Sequence, residues 1–160
     1  MAGSRPLRVG IIGVGWGSVV QTPAFRMVQQ FEVAALCSRN PDRVAAAGQK
    51  LGIDDISTDW RPFVERDDLD IISVATPVDL HLDMTLSAIA AGKHVLVEKP
   101  VGLNAQETGA MLAAATAAGV QHAVCFESRW EPARWAVWQA VRDGFLGNPY
   151  LALARTGADF

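Results

Sequence analysis

The chain has 160 residues, 50% of them hydrophobic and 19% charged, which excludes a disordered or fibrous protein and supplies enough apolar side chains for one globular core. Fourteen basic against seventeen acidic residues leave a net charge of −3 with no Lys/Arg cluster, so a nucleic-acid partner is not expected. No apolar run approaches the roughly 18 residues of a membrane helix, and Met1 to Leu7 holds no apolar signal core; a cytoplasmic protein without a membrane partner is predicted.

In chain order, short β-branched runs alternate with helical periodicity from Leu7 onward. The pattern predicts strand Arg8–Val14, helix Gly17–Gln30, strand Val33–Cys37, helix Pro41–Leu51, a short strand near Asp55–Thr58 and helix Arg61–Glu65. It continues with strand Asp70–Ala75, helix Val78–Ala91, strand His94–Val97, helix Ala105–Ala118 and strand His122–Phe126. This is the signature of an α/β fold, a doubly wound parallel sheet of two mononucleotide-binding halves. Local stops and starts agree: Asn104 and Glu107 form a capping pair, Pro41 sits in a first turn, and Gly52, Gly92 and Gly119 follow helices. Val95, Leu96 and Val97 do not alternate with polar residues, which predicts a strand buried on both faces.

After Phe126 the alternation breaks into a polar turn, a helix from about Pro132 to Arg142, a Gly144/Gly147/Pro149 loop and an apolar run, Tyr150–Ala154. Residues 1–127 read as one domain and 128–160 as the connecting helix and first strand of an incomplete second one. Trp130, Trp135 and Trp138 in this tail predict an apolar surface that wants a partner, and hence a homo-oligomer. Cys37 and Cys125 lie in apolar runs without CxxC or Cys/His spacing, so neither a metal site nor a disulfide framework is expected.

Gly13-Val14-Gly15-Trp16-Gly17-Ser18 follows the apolar strand and opens a helical pattern. A first glycine permits the tight turn, a second lets a pyrophosphate approach the backbone, and the helix start offers N–H groups to phosphate. The usual third glycine position falls on Ser18. The second strand ends Leu36-Cys37-Ser38-Arg39-Asn40, where an NAD-binding domain usually carries an acid for the ribose hydroxyls. Here Ser38 can donate a hydrogen bond and Arg39, with Arg43 one turn on, can pair with a 2′-phosphate. NADP is therefore predicted over NAD.

Three segments together, Gly10 to Gly17, Ala75-Thr76-Pro77-x-x-x-His81 and Ala91-Gly92-Lys93-His94-Val95-Leu96-Val97-Glu98-Lys99-Pro100, resemble the Gfo/Idh/MocA oxidoreductase family from Leu7 to about Tyr150. The resemblance implies a Rossmann domain of strand order 3-2-1-4-5-6, followed in relatives by a substrate domain built on an open antiparallel sheet. It places Lys99 near nicotinamide and substrate as the catalytic residue and makes Lys99–Pro100 a candidate cis peptide. It also implies that Ala75, Thr76 and Pro77 border the coenzyme, with His81 either beside them or serving as a capping or packing residue. Glu98 would order Lys99 or the nicotinamide amide. Two departures stand out: Glu127-Ser128-Arg129-Trp130-Glu131-Pro132 replaces the Asn-x-Arg-Phe-x-Pro of many relatives, and no Asp-x-x-x-His pair occurs before Phe160.

The activity so implied is hydride transfer between NADP(H) and a hydroxyl or carbonyl carbon of a sugar, polyol or related small molecule. Lys99 would polarise the oxygen or take part in proton transfer. The 160 residues alone are expected to bind coenzyme with little turnover, because a substrate must be held against the reacting carbon. The alternative is a non-catalytic nucleotide-binding sensor or scaffold on the same fold, which an NADPH oxidation assay with a panel of ketoses separates from a catalyst.

Overall fold

Six parallel strands, β1 Leu7–Ile12, β2 Phe31–Cys37, β3 Ile56–Ser57, β4 Ile71–Val74, β5 His94–Glu98 and β6 His122–Cys125, form one sheet in the order β3-β2-β1-β4-β5-β6. The computed structural model describes residues 5–151 and 153. The chain divides into two units, Met1–Cys125 and Phe126–Phe160. Winding starts at β1, runs outward through β2 and β3, then returns to β4 and runs the other way. The loops after β1 and β4 therefore diverge, and the crevice between them is where ligands of such sheets gather.

Helices α1 Thr22–Arg26, α2 Pro41–Leu51, α3 Trp60–Val64, α4 His81–Ala90 and α5 Ala105–Ala118 connect the strands. One apolar layer joins Val9, Ile11, Leu36, Ile53 and Ile71 to Val44 and Ala47 of α2. The other joins Ile12, Ile72, Val74, Val95 and Val97 to Phe63, Met84, Ile89 and Ala115 of α3, α4 and α5. Ile11, Leu36 and Ile72 are fully buried, each such side chain contributing about 1.5–3 kcal/mol over its exposed state. The burial expected on both faces of β5 holds for Val95 and Val97 but not for Leu96, which is half-buried, because α1 and α2 pack over β2 and β3 on that side.

Helix ends with local signals fall at the expected residues. Asn40 Oδ1 accepts from Arg43 N at 2.9 Å and Asn104 Oδ1 accepts from Glu107 N at 2.9 Å, while Gly52 and Gly119 close α2 and α5 in the left-handed region. The long helix expected over Gly17–Gln30 is different. A π-turn covers Gly17–Gln21, α1 follows, and the helix stops at Arg26. Pro23 has no N–H to give Val19, so the backbone shifts register just before it: Thr22 N and Thr22 Oγ1 both donate to Gly17 O. The fourth helix likewise begins as a 3-10 turn, Val78–Leu80, after Pro77.

In the second unit a 3-10 turn, Glu127–Trp130, leads into α6, Pro132–Arg142. Trp135 stacks between Trp130 and Trp138 with centroids 5.2 and 4.6 Å away, and Arg142 lies 4.8 Å over Trp138. The strand expected over Tyr150–Ala154 is not formed at Tyr150, Leu151 or Leu153; Ala152 and Ala154 lie outside the described residues.

Candidate functional site

The loop after β1 is built on three glycines, two of which, Gly13 and Gly17, have no room for a side chain. Gly13 has φ +106°, and a Cβ there would stand 2.2 Å from Ala75 O; only glycine fits this turn. Gly15 is open: its nearest neighbour would be Arg43 Nη2 at 3.9 Å. At Gly17 a Cβ would meet Ile11 Cγ2 at 2.7 Å. The close helix-to-sheet approach assigned to a third glycine is thus met by Gly17, one residue before the expected position. Ser18 has another task, donating its hydroxyl to the carbonyls of Val14 and Gly15 and closing the turn.

A cleft of about 500 Å³ opens beside this loop at the C-terminal ends of β1, β2 and β4, a volume in the range of small-molecule sites. Gly13, Val14 and Gly15 form its floor. Ser38, Arg39 and Arg43 stand on one side, and Ala75, Thr76 and Pro77 on the other. Ser38 N donates to Ser57 O at 3.0 Å, which fixes the turn leaving β2. Arg39 and Arg43 are exposed, and among the described residues neither makes an ion pair. Their positive charge faces the cleft without an internal partner.

The far side comes from residues that the sequence reading passed over: Thr58, Asp59, Trp60 and Arg61. Asp59 caps α3 by accepting from Arg61 N at 3.0 Å, and its carboxylate lies 3.9 Å from the Arg61 guanidinium. That guanidinium lies 4.7 Å over the Trp60 ring. The cap is a readable signal, since an acid before an aromatic helix start is common; that β3 ends beside β2 and delivers these side chains to the cleft is a tertiary fact. Cys37 also lines the cleft, and burial pushes its thiol up to about 11, partly offset by a hydrogen bond with Ser57. It stays protonated at neutral pH. No disulfide joins Cys37 and Cys125.

Trp16, Gly17, His81, Glu98 and Lys99 do not line this cleft. Trp16 is 46% exposed on the loop. Lys99 is exposed just past β5 and its bond to Pro100 is cis. Glu98 is buried: Oε1 accepts from Gln21 Nε2 at 2.8 Å and Oε2 from Lys99 N at 3.2 Å. His81 is 1% exposed, with Nε2 2.8 Å from Thr76 O and Nδ1 3.1 Å from Pro100 O. The packing alternative for His81 is the one this geometry supports. Its ring ties the Thr-Pro loop to the Glu-Lys-Pro turn, so the segments after β4 and β5 are held as one wall.

The family model described as "Oxidoreductase family, NAD-binding Rossmann fold" (Gfo/Idh/MocA) matches residues 7–126. D-apiose dehydrogenase of Paraburkholderia graminis is 35% identical over 140 residues, 88% of this chain and 37% of that protein. Among solved structures, scyllo-inositol dehydrogenase of Lactobacillus casei with bound NAD(H) and scyllo-inositol superposes with a TM-score of 0.83 at 26% identity, covering 90% of this chain and 43% of that one. An oxidoreductase of Agrobacterium radiobacter in complex with NAD+, L-tartaric acid and magnesium reaches a TM-score of 0.85 at 26% identity, covering 90% and 42%. The chain therefore spans about 40% of the length of these relatives. No described helix is long and apolar enough to cross a membrane. With its strand order, glycine loop and Glu-Lys-Pro turn in place, the chain belongs to the Gfo/Idh/MocA oxidoreductase family and matches that family's NAD-binding Rossmann domain.

Proposed function

We propose that this chain is the coenzyme-binding part of a cytoplasmic dehydrogenase or reductase that exchanges hydride between NADP(H) and a carbonyl or hydroxyl carbon of a sugar, polyol or related small molecule. The observation that carries the coenzyme choice is the cleft rim: Arg39, Arg43 and Arg61 line it, and Ser38, the residue after β2, stands where an acid would repel a 2′-phosphate. The residues present fit a dinucleotide. The open backbone at Gly15 leaves room for a pyrophosphate, and the positive φ of Gly13 lets the turn pass close to the Ala75 carbonyl. Relatives named as D-apiose dehydrogenase and myo-inositol 2-dehydrogenase support the substrate class.

The nicotinamide coenzyme, when bound, supplies the hydride chemistry. The residues of this chain do the rest. The Gly13–Gly15 backbone and the arginines anchor phosphate, while Thr76 and Pro77 confine the space after β4. Lys99 polarises the substrate oxygen or carries its proton. Glu98 and His81 hold the turn from which Lys99 projects. Residues 1–127 are the dinucleotide domain in this reading, and 128–160 begin a substrate domain; the exposed tryptophan face of α6 favours a homo-oligomer.

The NAD(H) and NAD+ in the two solved relatives favour a second reading, in which Asp59 at the rim receives the ribose hydroxyls of NAD. Titration of tryptophan fluorescence with NADPH and with NADH decides between them. Tighter NADPH binding by tenfold or more supports the first; equal or reversed affinities replace it with the second. Absence of any coenzyme binding rejects both.

A further inference from the structure

Three buried polar side chains interrupt the apolar layer beneath the Glu-Lys-Pro turn. Gln21 is 3% exposed, Ser73 0% and Glu98 8%. Ser73 Oγ donates to Gln21 Oε1 at 2.8 Å, and Gln21 Nε2 donates to Glu98 Oε1 at 2.8 Å. The second Glu98 oxygen accepts from the Lys99 backbone N–H. The direction is set by the ends: a carboxylate accepts, so the amide nitrogen must face Glu98 and its oxygen must face the Ser73 hydroxyl. Burying such groups costs free energy unless each is paired, and Val9, Ile11 and Ile71 in the same layer show that apolar residues suit it.

The backbone route to Gln21 matters equally. Gln21 is the last residue of the π-turn that begins at Gly17, directly after the glycine floor of the cleft. A regular α-helix through this segment would rotate residue 21 by roughly 100° per residue of register and aim it elsewhere. Pro23 and the Thr22–Gly17 hydrogen bonds hold the wider turn, which is what delivers the amide to the end of β5.

We infer that Gln21, braced by Ser73, is a positioning residue: it fixes the Glu98 carboxylate and through it the backbone of Lys99, linking the coenzyme loop to the reactive end of β5. Gln21 touches no reacting atom itself. The inference rests on the reading of Lys99 as the residue beside nicotinamide and substrate, but the linkage is measurable without turnover.

The test uses the 160-residue chain and the exchange rate of the Lys99 backbone amide, followed by NMR at fixed pH, in wild type, Gln21→Leu and Gln21→Glu. Leucine removes the donor at similar volume, so Lys99 amide exchange is expected to rise about tenfold. Glutamate sets a second carboxylate against Glu98, so the rise is expected to be larger still. Amides of Ile11 and Ile72 in the central strands should stay within twofold. That order, Glu above Leu above wild type, is not expected of a residue that merely fills space. Lys99 rates within twofold of wild type in both variants would overturn the inference, as would equal loosening at Ile11, Ile72 and Lys99. If neither variant folds, Ser73→Ala, which removes only the brace, is expected to raise the Lys99 rate threefold or more, and no change in it overturns the inference. NADPH and NADH titrations of the same samples separate the two readings. Wild type that binds neither coenzyme rejects the proposed function, whereas coenzyme binding with an unmoved Lys99 amide rejects only the role of Gln21.

Discussion

At the amino-terminal edge of the sheet, Arg5, Arg8 and Arg66 all end on carboxylates. Arg5 holds Asp70 at 2.6 Å, Arg8 reaches Glu32 and Asp68 at 2.8 and 3.1 Å, and Arg66 joins Asp55 and Asp68 at 2.6 and 2.8 Å. Even the buried Lys93 ammonium ends on Arg66 O at 2.6 Å. At the carboxy-terminal edge, Arg39 and Arg43 make no ion pair among the described residues. The glycines differ in the same way. Gly52 and Gly119, which end helices on the paired side, have nothing within 4 Å of an added Cβ, whereas Gly13 would be driven into the Ala75 carbonyl. One edge is arranged to be satisfied by the chain itself. The other spends its backbone geometry on keeping space open and leaves Arg39 and Arg43 without an ion pair among the described residues.

The strongest way to break this contrast is Gly13→Ala. It combines a backbone clash with a positive φ, and we expect a loss of about 3–5 kcal/mol in unfolding free energy together with loss of coenzyme binding. Gly52→Ala, strained only in φ, should cost about 1 kcal/mol and leave binding unchanged. Chemical denaturation and coenzyme titration of both variants check the pair; similar losses at the two positions would refute the contrast. His81→Ala comes next. Removing the ring leaves a buried cavity between the carbonyls of Thr76 and Pro100 and takes away the ring N–H donor, so about 2–4 kcal/mol should be lost. Weaker coenzyme binding should accompany it, because the wall beside the cleft is no longer one piece.

What was legible in the sequence follows the same division between local and tertiary causes. Pro41, Gly52, Asn104, Glu107 and Gly119 act within a few residues of themselves, and α2 and α5 begin and end where those signals put them. The doubly wound α/β class is legible because apolar runs, helical segments and a glycine loop recur in one sequence, and the strand order was implied by the resemblance to the Gfo/Idh/MocA family that those segments carry. The register shift before Pro23 leaves little trace in the sequence, because helical periodicity over residues 17–30 runs on through the proline. Trp60 and Arg61 reach the cleft only because β3 lies beside β2, and Gln21 meets Glu98 across 77 positions of chain. Such pairings have no local trace. His81 shows the intermediate case, a residue whose motif was visible while its partners, two backbone carbonyls, were not.

Arg39→Ala sharpens the comparison at moderate size. A charge-assisted bond to a 2′-phosphate contributes about 1.5–3 kcal/mol, so NADPH affinity should fall roughly 10- to 100-fold while NADH affinity changes less than threefold. Arg39→Asp should go further and reverse the preference by repulsion. Calorimetric titration at two salt concentrations is the check, since an ionic contact at an exposed rim weakens as salt rises. An unchanged NADPH-to-NADH ratio would mean that Arg39 is only solvated, and the difference between the two edges would then concern pairing without function.

The smallest effect tests the paired edge. Hydrogen bonds from Arg66 hold Asp55 and Asp68 below the ordinary carboxylate value of 3.8, and one from Arg5 does the same for Asp70. A carboxyl depressed in the folded state stabilises fully above its unfolded value and loses that contribution as pH falls through the folded one. The thermal midpoint should therefore hold from pH 7 to about 5 and decline from about pH 4 downward. Asp55 and Asp68 are 44% and 46% exposed, so solvent and salt limit each to under about 1 kcal/mol. Asp68→Asn should flatten the decline measurably. Arg39→Ala, which has no carboxylate to release, should leave its slope unaltered. If Arg39→Ala flattened the acid profile as much as Asp68→Asn, the cation at the cleft rim would be paired within the chain in solution, and a waiting ligand would no longer be needed to explain it.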